Sequence, residues 1–289
     1  MSRQNYYARR HERQRRKVDE ELLVALVRQE RSLQPRLGVR KLRVLVGPEL
    51  VQAGVRLGRD RFFEILRRQG LLLQPRRSET PRTTQSYHCL PVFQNLIKGA
   101  QFHQPNEVWV GDLTYLRTEE GFMFLALLTD LMSRHIVGYH CGDSLESLGC
   151  QAALQMALQQ LPEGRRPIHH SDRGCQYCCH EYVALAFSRG LSMSMTETNH
   201  CAENALAERM NGILKSEYGL DQRFKTKRQS HQAVEQAVRL YSTRRPHSAL
   251  GNRFPAQVHA AAQSLAPGVG VGAQRPGEQA QPLAWAAGA

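Results

Sequence analysis

The sequence predicts an α/β core preceded by a small all-α unit. Three observations carry that reading. From residue 107 onward, apolar runs and helix-spaced stretches follow the order of three strands and then helix, strand, helix, strand, helix, which is an α/β order. Before about residue 73, apolar residues recur at helix spacing and strand-like alternation is missing. Charge changes at the same place. Residues 1–86 hold 21 Lys+Arg against 9 Asp+Glu, whereas residues 87–289 hold 18 against 17. A chain with a net charge of +13 thus has a basic front and a nearly neutral remainder.

In chain order, residues 1–17 are basic and polar and are expected to be frayed or held by nucleic acid. Val18–Glu30 carries apolar residues at 18, 22, 23, 26 and 27, the spacing of a helix. Residues 38–46 suggest a second helix, Gly54–Gly58 a turn, and Arg59–Gln69 a third helix stopped by Gly70. Helix, turn and Arg-bearing helix form a helix-turn-helix-like unit over 1–73, for which Arg40, Lys41, Arg59 and Arg61 are the expected DNA contacts. Residues 74–104, with several Pro and Thr, read as a linker that packs partly on the core. The core is expected over 105–261. Its strands are expected from Glu107, over Gly121–Leu131, Arg134–Cys141, Arg166–His170 and Leu191–Met195. Its helices are expected over Leu145–Leu161, Glu181–Arg189, Glu203–Tyr218 and Gln229–Tyr241. The tail 262–289, rich in Ala, Gly, Gln and Pro, is expected to be disordered.

Composition excludes some classes. No apolar stretch reaches the length of a membrane span, and the N-terminus has no apolar signal region. Seven scattered cysteines, an odd count without an export signal, point to reduced thiols and a cytoplasmic location.

Three carboxylates carry the chemistry. Asp112 sits in the strand-like run Val108–Tyr115, Asp172 closes Pro167–Asp172, and Glu208 lies in a helical stretch, separated from Asp172 by 35 residues. The first and fourth strands could lie side by side, with the helix of Glu208 leaning over their ends. Asn204, Glu208, Asn211 or Gly212, and Lys215 fall along one side of that helix, so Lys215 could touch a phosphate beside the acids. Three acids offer only oxygen ligands, which suit hard divalent cations, and two such ions could clamp the attacking and leaving oxygens of a phosphodiester. Cys175-x-x-Cys178 with Cys179, His180, His169 and His170 nearby could suggest zinc, but no second ligand pair at finger spacing follows, so ordinary thiols are the preferred reading.

Residues 36–260 resemble the orfB-type transposases of insertion sequences, whose catalytic core is similar to retroviral integrases. The resemblance rests on Gly38–Leu42, Trp109–Tyr115, Asp130–Tyr139, His170–Tyr177, Glu203–Glu208 with Leu214–Glu217, and Arg245–Gly251. It implies a ribonuclease H-like core with a mixed sheet. It also implies an acid triad of Asp112, Asp172 and Glu208 binding Mg²⁺ or Mn²⁺ (two ions with DNA bound), water-driven cleavage at element ends, and strand transfer by the freed 3′-hydroxyl. Arg173, Asn204, Lys215, Arg244, Arg245 and His247 are further expected DNA contacts. Expected partners are double-stranded DNA, other copies of the chain, and an upstream orfA-type product, since the chain has no long heptad run of its own. Glu203 stands where the family usually has Asp; Asn199 and His200 replace a common Gly-Asn turn; Cys175, Cys178 and Cys179 replace Ser or Thr. Two other readings share parts of this pattern: a nuclease that cuts without joining, and a DNA-binding regulator or inactive remnant.

Overall fold

The computed structural model describes residues 3–74, 90–197 and 204–264. The predicted tail lies almost wholly outside these residues, as does the first half of the predicted linker.

Three helices open the chain: α1 (Arg3–Leu33), α2 (Val39–Gln52) and α3 (Arg59–Arg68). They share a core of Leu23, Val27, Leu37, Leu42, Phe62, Ile65 and Leu66. Two boundaries differ from the sequence expectation. Helix α1 begins at Arg3 rather than near Val18. Residues 14–18 are exposed, so they are held in the helix by the propensity of their Gln, Arg and Lys residues and not by packing. Helix α2 continues through Pro48 to Gln52, because Leu50 beyond the proline is buried with Leu42 and Val46.

The core sheet is built from β1 (Val108–Thr118), β2 (Gly121–Asp130), β3 (Ile136–Gly142), β4 (Ile168–Ser171), β5 (Ser192–Met195) and the two-residue β6 (Arg223–Phe224). Its order is β3-β2-β1-β4-β5, with β6 also pairing β1. Strands β1 to β3 are antiparallel neighbours, whereas β4 runs parallel to β1 and β5 parallel to β4. The sheet is therefore mixed, and β1 and β4 lie side by side.

Strand alternation sorts β1 between two apolar layers. Trp109 and Leu113 join the layer of α4 (Ser147–Gln159), the short α5 (Cys175–Cys178) and α6 (His180–Ser188). Leu116 joins the opposite layer, made by α7 (Ala205–Tyr218) and α8 (Lys227–Arg244). Gly138 lets α4 come close to β3, since a Cβ there would lie 2.1 Å from the Ala153 carbonyl oxygen. The described half of the linker packs on this core: Phe93 is buried in the first layer, and the Leu96 N–H donates to Ser194 Oγ at 2.9 Å. Helix α9 (Pro255–Ser264) follows α8. The sequence reading did not separate α5, β6 or α9. Each is short or lacks a long apolar repeat, and each depends on contacts distant in sequence.

Candidate active site

Asp112 lies in the middle of β1 and Asp172 directly follows β4. Because β1 and β4 pair in parallel through Val108 with Ile168, Trp109 with His169 and Val110 with His170, both acids leave the sheet at the same level. Helix α7 crosses β1 and fastens to it at three points along one side. Asn204, its N-cap residue, donates from Nδ2 to the Gly111 carbonyl at 3.2 Å. Asn211 donates from Nδ2 to Asp112 Oδ2 at 2.7 Å. Lys215 donates from Nζ to Thr114 Oγ1 at 2.6 Å, and its ammonium lies 4.6 Å from the centre of the Tyr115 ring. Glu208 shares this side of α7 and is exposed.

Burial, more than any other influence, pushes the Asp112 carboxyl up to about 7, and the negative charges of Asp172 and, more weakly, Glu208 push the same way. The Asn211 bond and the Leu113 N–H, 2.9 Å from Asp112 Oδ1, pull against that rise. Asp172 Oδ1 accepts from the Gly174 N–H at 3.0 Å. Burial also lowers the pKa of Lys215, partly offset by the charge of Asp112.

This is a donor set of oxygens around a partly buried acid whose ionisation its neighbours oppose, so the residues fit a divalent cation. Among the described residues, no three His, Cys, Asp or Glu side chains are gathered tightly enough to hold a metal by themselves. That applies to the three acids and to the Cys175–His180 stretch alike. Burial pushes the Cys178 and Cys150 thiols up to about 12, which keeps them protonated. The wall behind the acids is aromatic. His169 Nε2 and Tyr182 Oη are 2.7 Å apart, Tyr177 packs against both rings, and a Cβ on Gly111 would come within 3.2 Å of the His169 ring.

The other expected contacts are dispersed. Arg40 and Arg59 are exposed on α2 and α3, with Arg59 beside Asp60. Arg61 pairs with Glu20 and Glu64 at 2.7 and 2.8 Å. Arg173 donates to the carbonyls of Thr196 and Glu197. Lys41 Nζ bonds Glu217 Oε1 at 2.7 Å, and Arg245 bonds the same carboxylate at 2.8 and 2.9 Å. Arg244 pairs with Glu30. His247 sits in a turn where its N–H bonds the Arg253 carbonyl at 3.1 Å. The structure thus gives Lys41, Arg61, Arg173, Arg244 and Arg245 internal partners, and His247 a half-buried place in that turn. Sequence reading did not single out Thr114. The signal was available, because Thr114 is two residues from Asp112 and shares its strand face.

Residues 103–201 match the integrase core domain model, and residues 189–255 match a second model of the same description. The chain is 36% identical over 221 residues to the uncharacterized 31 kDa protein of insertion element IS600 of Shigella sonnei, covering 76% of this chain and 79% of that protein. It is 40% identical over 154 residues to the transposase InsF for insertion sequence IS3A of Escherichia coli (strain K12), covering 53% of each. Among solved structures, the HTLV-2 integrase catalytic core domain in complex with magnesium aligns at 19% identity and a TM-score of 0.44, covering 55% of this chain and 99% of that one. A chain of the simian T-cell lymphotropic virus intasome aligns at 18% and 0.48, covering 76% and 73%.

Proposed function

Because this chain belongs to the insertion-sequence transposases that carry an integrase core domain, we propose that it cuts DNA at the ends of an insertion element and joins the freed 3′-hydroxyl to target DNA, with Asp112, Asp172 and Glu208 as its acids. The observation that carries the assignment of residues is the fastening of α7 onto β1. Asn204, Asn211 and Lys215 bond positions 111, 112 and 114 in turn, which keeps Glu208 on the side where Asp112 and Asp172 emerge.

Integrase-core enzymes depend on divalent metal and act on DNA as oligomers. In this chain the three acids would hold Mg²⁺ or Mn²⁺, two ions once DNA is bound, and those ions would supply Lewis acidity at the phosphodiester and an acidified water. Near neighbours that do not form a closed cage suit Mg²⁺, which takes one or two carboxylates and completes its shell with water and substrate phosphate oxygens. The protein's own groups orient the acids. Asn211 and the Leu113 N–H fix the two oxygens of Asp112, and the Gly174 N–H fixes one of Asp172. Lys215 keeps a cation beside the place where a phosphate would lie, and the aromatic wall of His169, Tyr177 and Tyr182 excludes water from behind. Cutting and joining need the same arrangement, since only the nucleophile changes, from water to a 3′-hydroxyl.

The same reading includes several copies of the chain acting together on double-stranded DNA and an upstream orfA-type partner. Among the described residues no helix is long and apolar enough to cross a membrane. A strand-transfer assay with purified protein, a duplex bearing the element end, and Mg²⁺ tests the proposal. Joined product is expected. Cut ends without joining would make the chain a nuclease, and binding without either would make it a regulator.

A further inference from the structure

The segment Arg245–Gly251, singled out in the sequence, is not used by the acids. It folds into a compact turn after α8. His247 and Arg253 form an isolated bridge, Ser248–Leu250 is a 3₁₀ turn, and Gly251 and Asn252 both have positive φ. This turn faces the β2–β3 turn across a cleft of about 440 Å³. Pro105, Met132, Leu250 and Val258 supply apolar wall, and the charged or titratable lining groups are Arg134, Arg253 and His103. Among the described residues, no carboxylate lines it.

The two arginines differ from Arg61, Arg68, Arg244 and Arg245, each of which faces a carboxylate. The Arg134 guanidinium makes no hydrogen bond or ion pair among the described residues, and its Nε is buried without a partner. Its backbone is held in the left-handed region at φ 61°, unusual for a residue with a side chain, by its N–H bonding the Asp130 carbonyl at 3.0 Å and its own carbonyl accepting from Tyr241 Oη at 3.0 Å. The Asp130 carboxylate is occupied elsewhere, accepting from Asn106 N, Ser133 N, Ser133 Oγ and Met132 N. On the opposite wall, Arg253 spends only its Nε, on the Leu250 carbonyl at 3.1 Å.

A short chain of contacts links the cleft to the acid site. Leu131, next to Met132 of the wall, donates its N–H to the Val108 carbonyl at 2.9 Å. Phe102 and Leu131 pack in the small cluster that contains Leu206 and Ala207, the residues just before Glu208. From Val108 to Asp112 is four strand residues, roughly 13 Å, or a few steps of a DNA strand at about 3.4 Å of helix rise each.

We propose that this cleft binds a backbone phosphodiester of the DNA that is being cut or joined, with Arg134 and Arg253 as its donors. Guanidinium groups offer paired N–H donors that match phosphate oxygens, and a guanidinium free of any carboxylate among the described residues on each wall, with both terminal nitrogens of Arg253 unspent, leaves that capacity available. The apolar wall between them accommodates the sugar of the strand. The inference rests on the transposase reading, and it adds a substrate contact made by residues outside the acid site.

The test uses the full chain and a fluorescent duplex bearing the element end, with affinity measured by anisotropy over a range of salt. Arg253→Gln removes an exposed donor, and Ala249→Glu places a carboxylate on the rim without touching either arginine. Each is expected to weaken binding roughly fivefold to tenfold, and Arg253→Gln to lower the salt slope by about 1. Arg189→Gln, at the end of α6 on the other face of the sheet, is the control and is expected to change affinity by less than about twofold. Arg134→Gln should weaken binding similarly, provided its unfolding midpoint matches wild type. Binding by Arg253→Gln and Ala249→Glu that equals the control overturns the proposal. So does unchanged DNA affinity combined with lost binding of inorganic phosphate, which would make the cleft an ion site. Unchanged DNA affinity with a changed oligomer mass would make it an interface between copies, and would overturn the proposal too. Wild-type protein that binds through the cleft but never cuts or joins would instead count against the transposase reading.

Discussion

Asp112 shows how position sets the effect of a substitution. Its folded pKa of about 7 lies above the ordinary 3.8, with burial as the main cause. A raised carboxyl contributes stability that is fully present below the unfolded pKa and is lost as pH rises through the folded one. Without metal, the wild-type protein is therefore penalised by this group above about pH 7. Asp112→Asn removes the charge at nearly constant volume. At pH 8 without metal it should unfold at a higher temperature than wild type, a gain on the order of 1–3 kcal/mol that disappears near pH 4. Equal or lower midpoints at pH 8 would mean that Asp112 ionises without strain. The neighbouring strands that carry Asp112 and Asp172 were legible, because each acid sits in its own motif. The line of Asn204, Asn211 and Lys215 along α7 was legible too, because helical spacing lays them on one side. The partners of the cations were not. Lys41 meets Glu217 at 176 positions' separation, and no local pattern carries that information.

At the scale of elements, α7 works on two sides. One side fastens to β1, and the other receives the helical unit. Glu217 accepts from Lys41 and Arg245, its backbone carbonyl accepts from the Arg36 N–H at 3.1 Å, and Tyr218 Oη donates to the buried Gln34 at 2.9 Å. Burial alone would raise the Glu217 carboxyl, but the hydrogen bonds and charges of Arg245 and Lys41 outweigh it and hold the group low. Arg245 is 2% exposed, so removing its carboxylate partner strands a cation in the interior. Glu217→Gln should cost on the order of 3 kcal/mol, read as a lower urea midpoint at pH 7. The loss should shrink as pH falls below about 4.5, where wild type begins to lose the same interaction. A midpoint shift under about 0.5 kcal/mol would make this network dispensable. Strands and long helices of the core were legible from their periods of 2 and 3.6. The start of α1 and the far end of α2 were not, because one is carried by propensity without burial and the other by a leucine beyond a proline.

Across the whole molecule, buried histidines set the response to acid. Burial lowers His135, His247 and His259 to about 4 and His169 to about 3. A histidine kept neutral in the fold contributes stability that is complete above about 6.5 and is lost as pH falls through the folded value. Asp112 and Asp130, both raised by burial, act in the opposite direction. Four groups against two predict a thermal midpoint that falls between pH 6.5 and 4, and a flat or rising profile would contradict the burial of these rings. The uneven distribution of charge, visible in the sequence, predicts a second property of the whole chain: DNA affinity should fall steeply with salt as phosphate contacts release counterions. A shallow slope would mean that the basic front does not reach DNA. The most direct test of the central claim compares wild type with Asp112→Asn, Asp172→Asn and Glu208→Gln in strand transfer on end-bearing DNA, with and without Mg²⁺. Joined product is expected from wild type only when metal is present, and the three folded variants are expected to bind the DNA but neither cut nor join it. Joined product from any one variant, or from wild type in excess chelator, would contradict that claim.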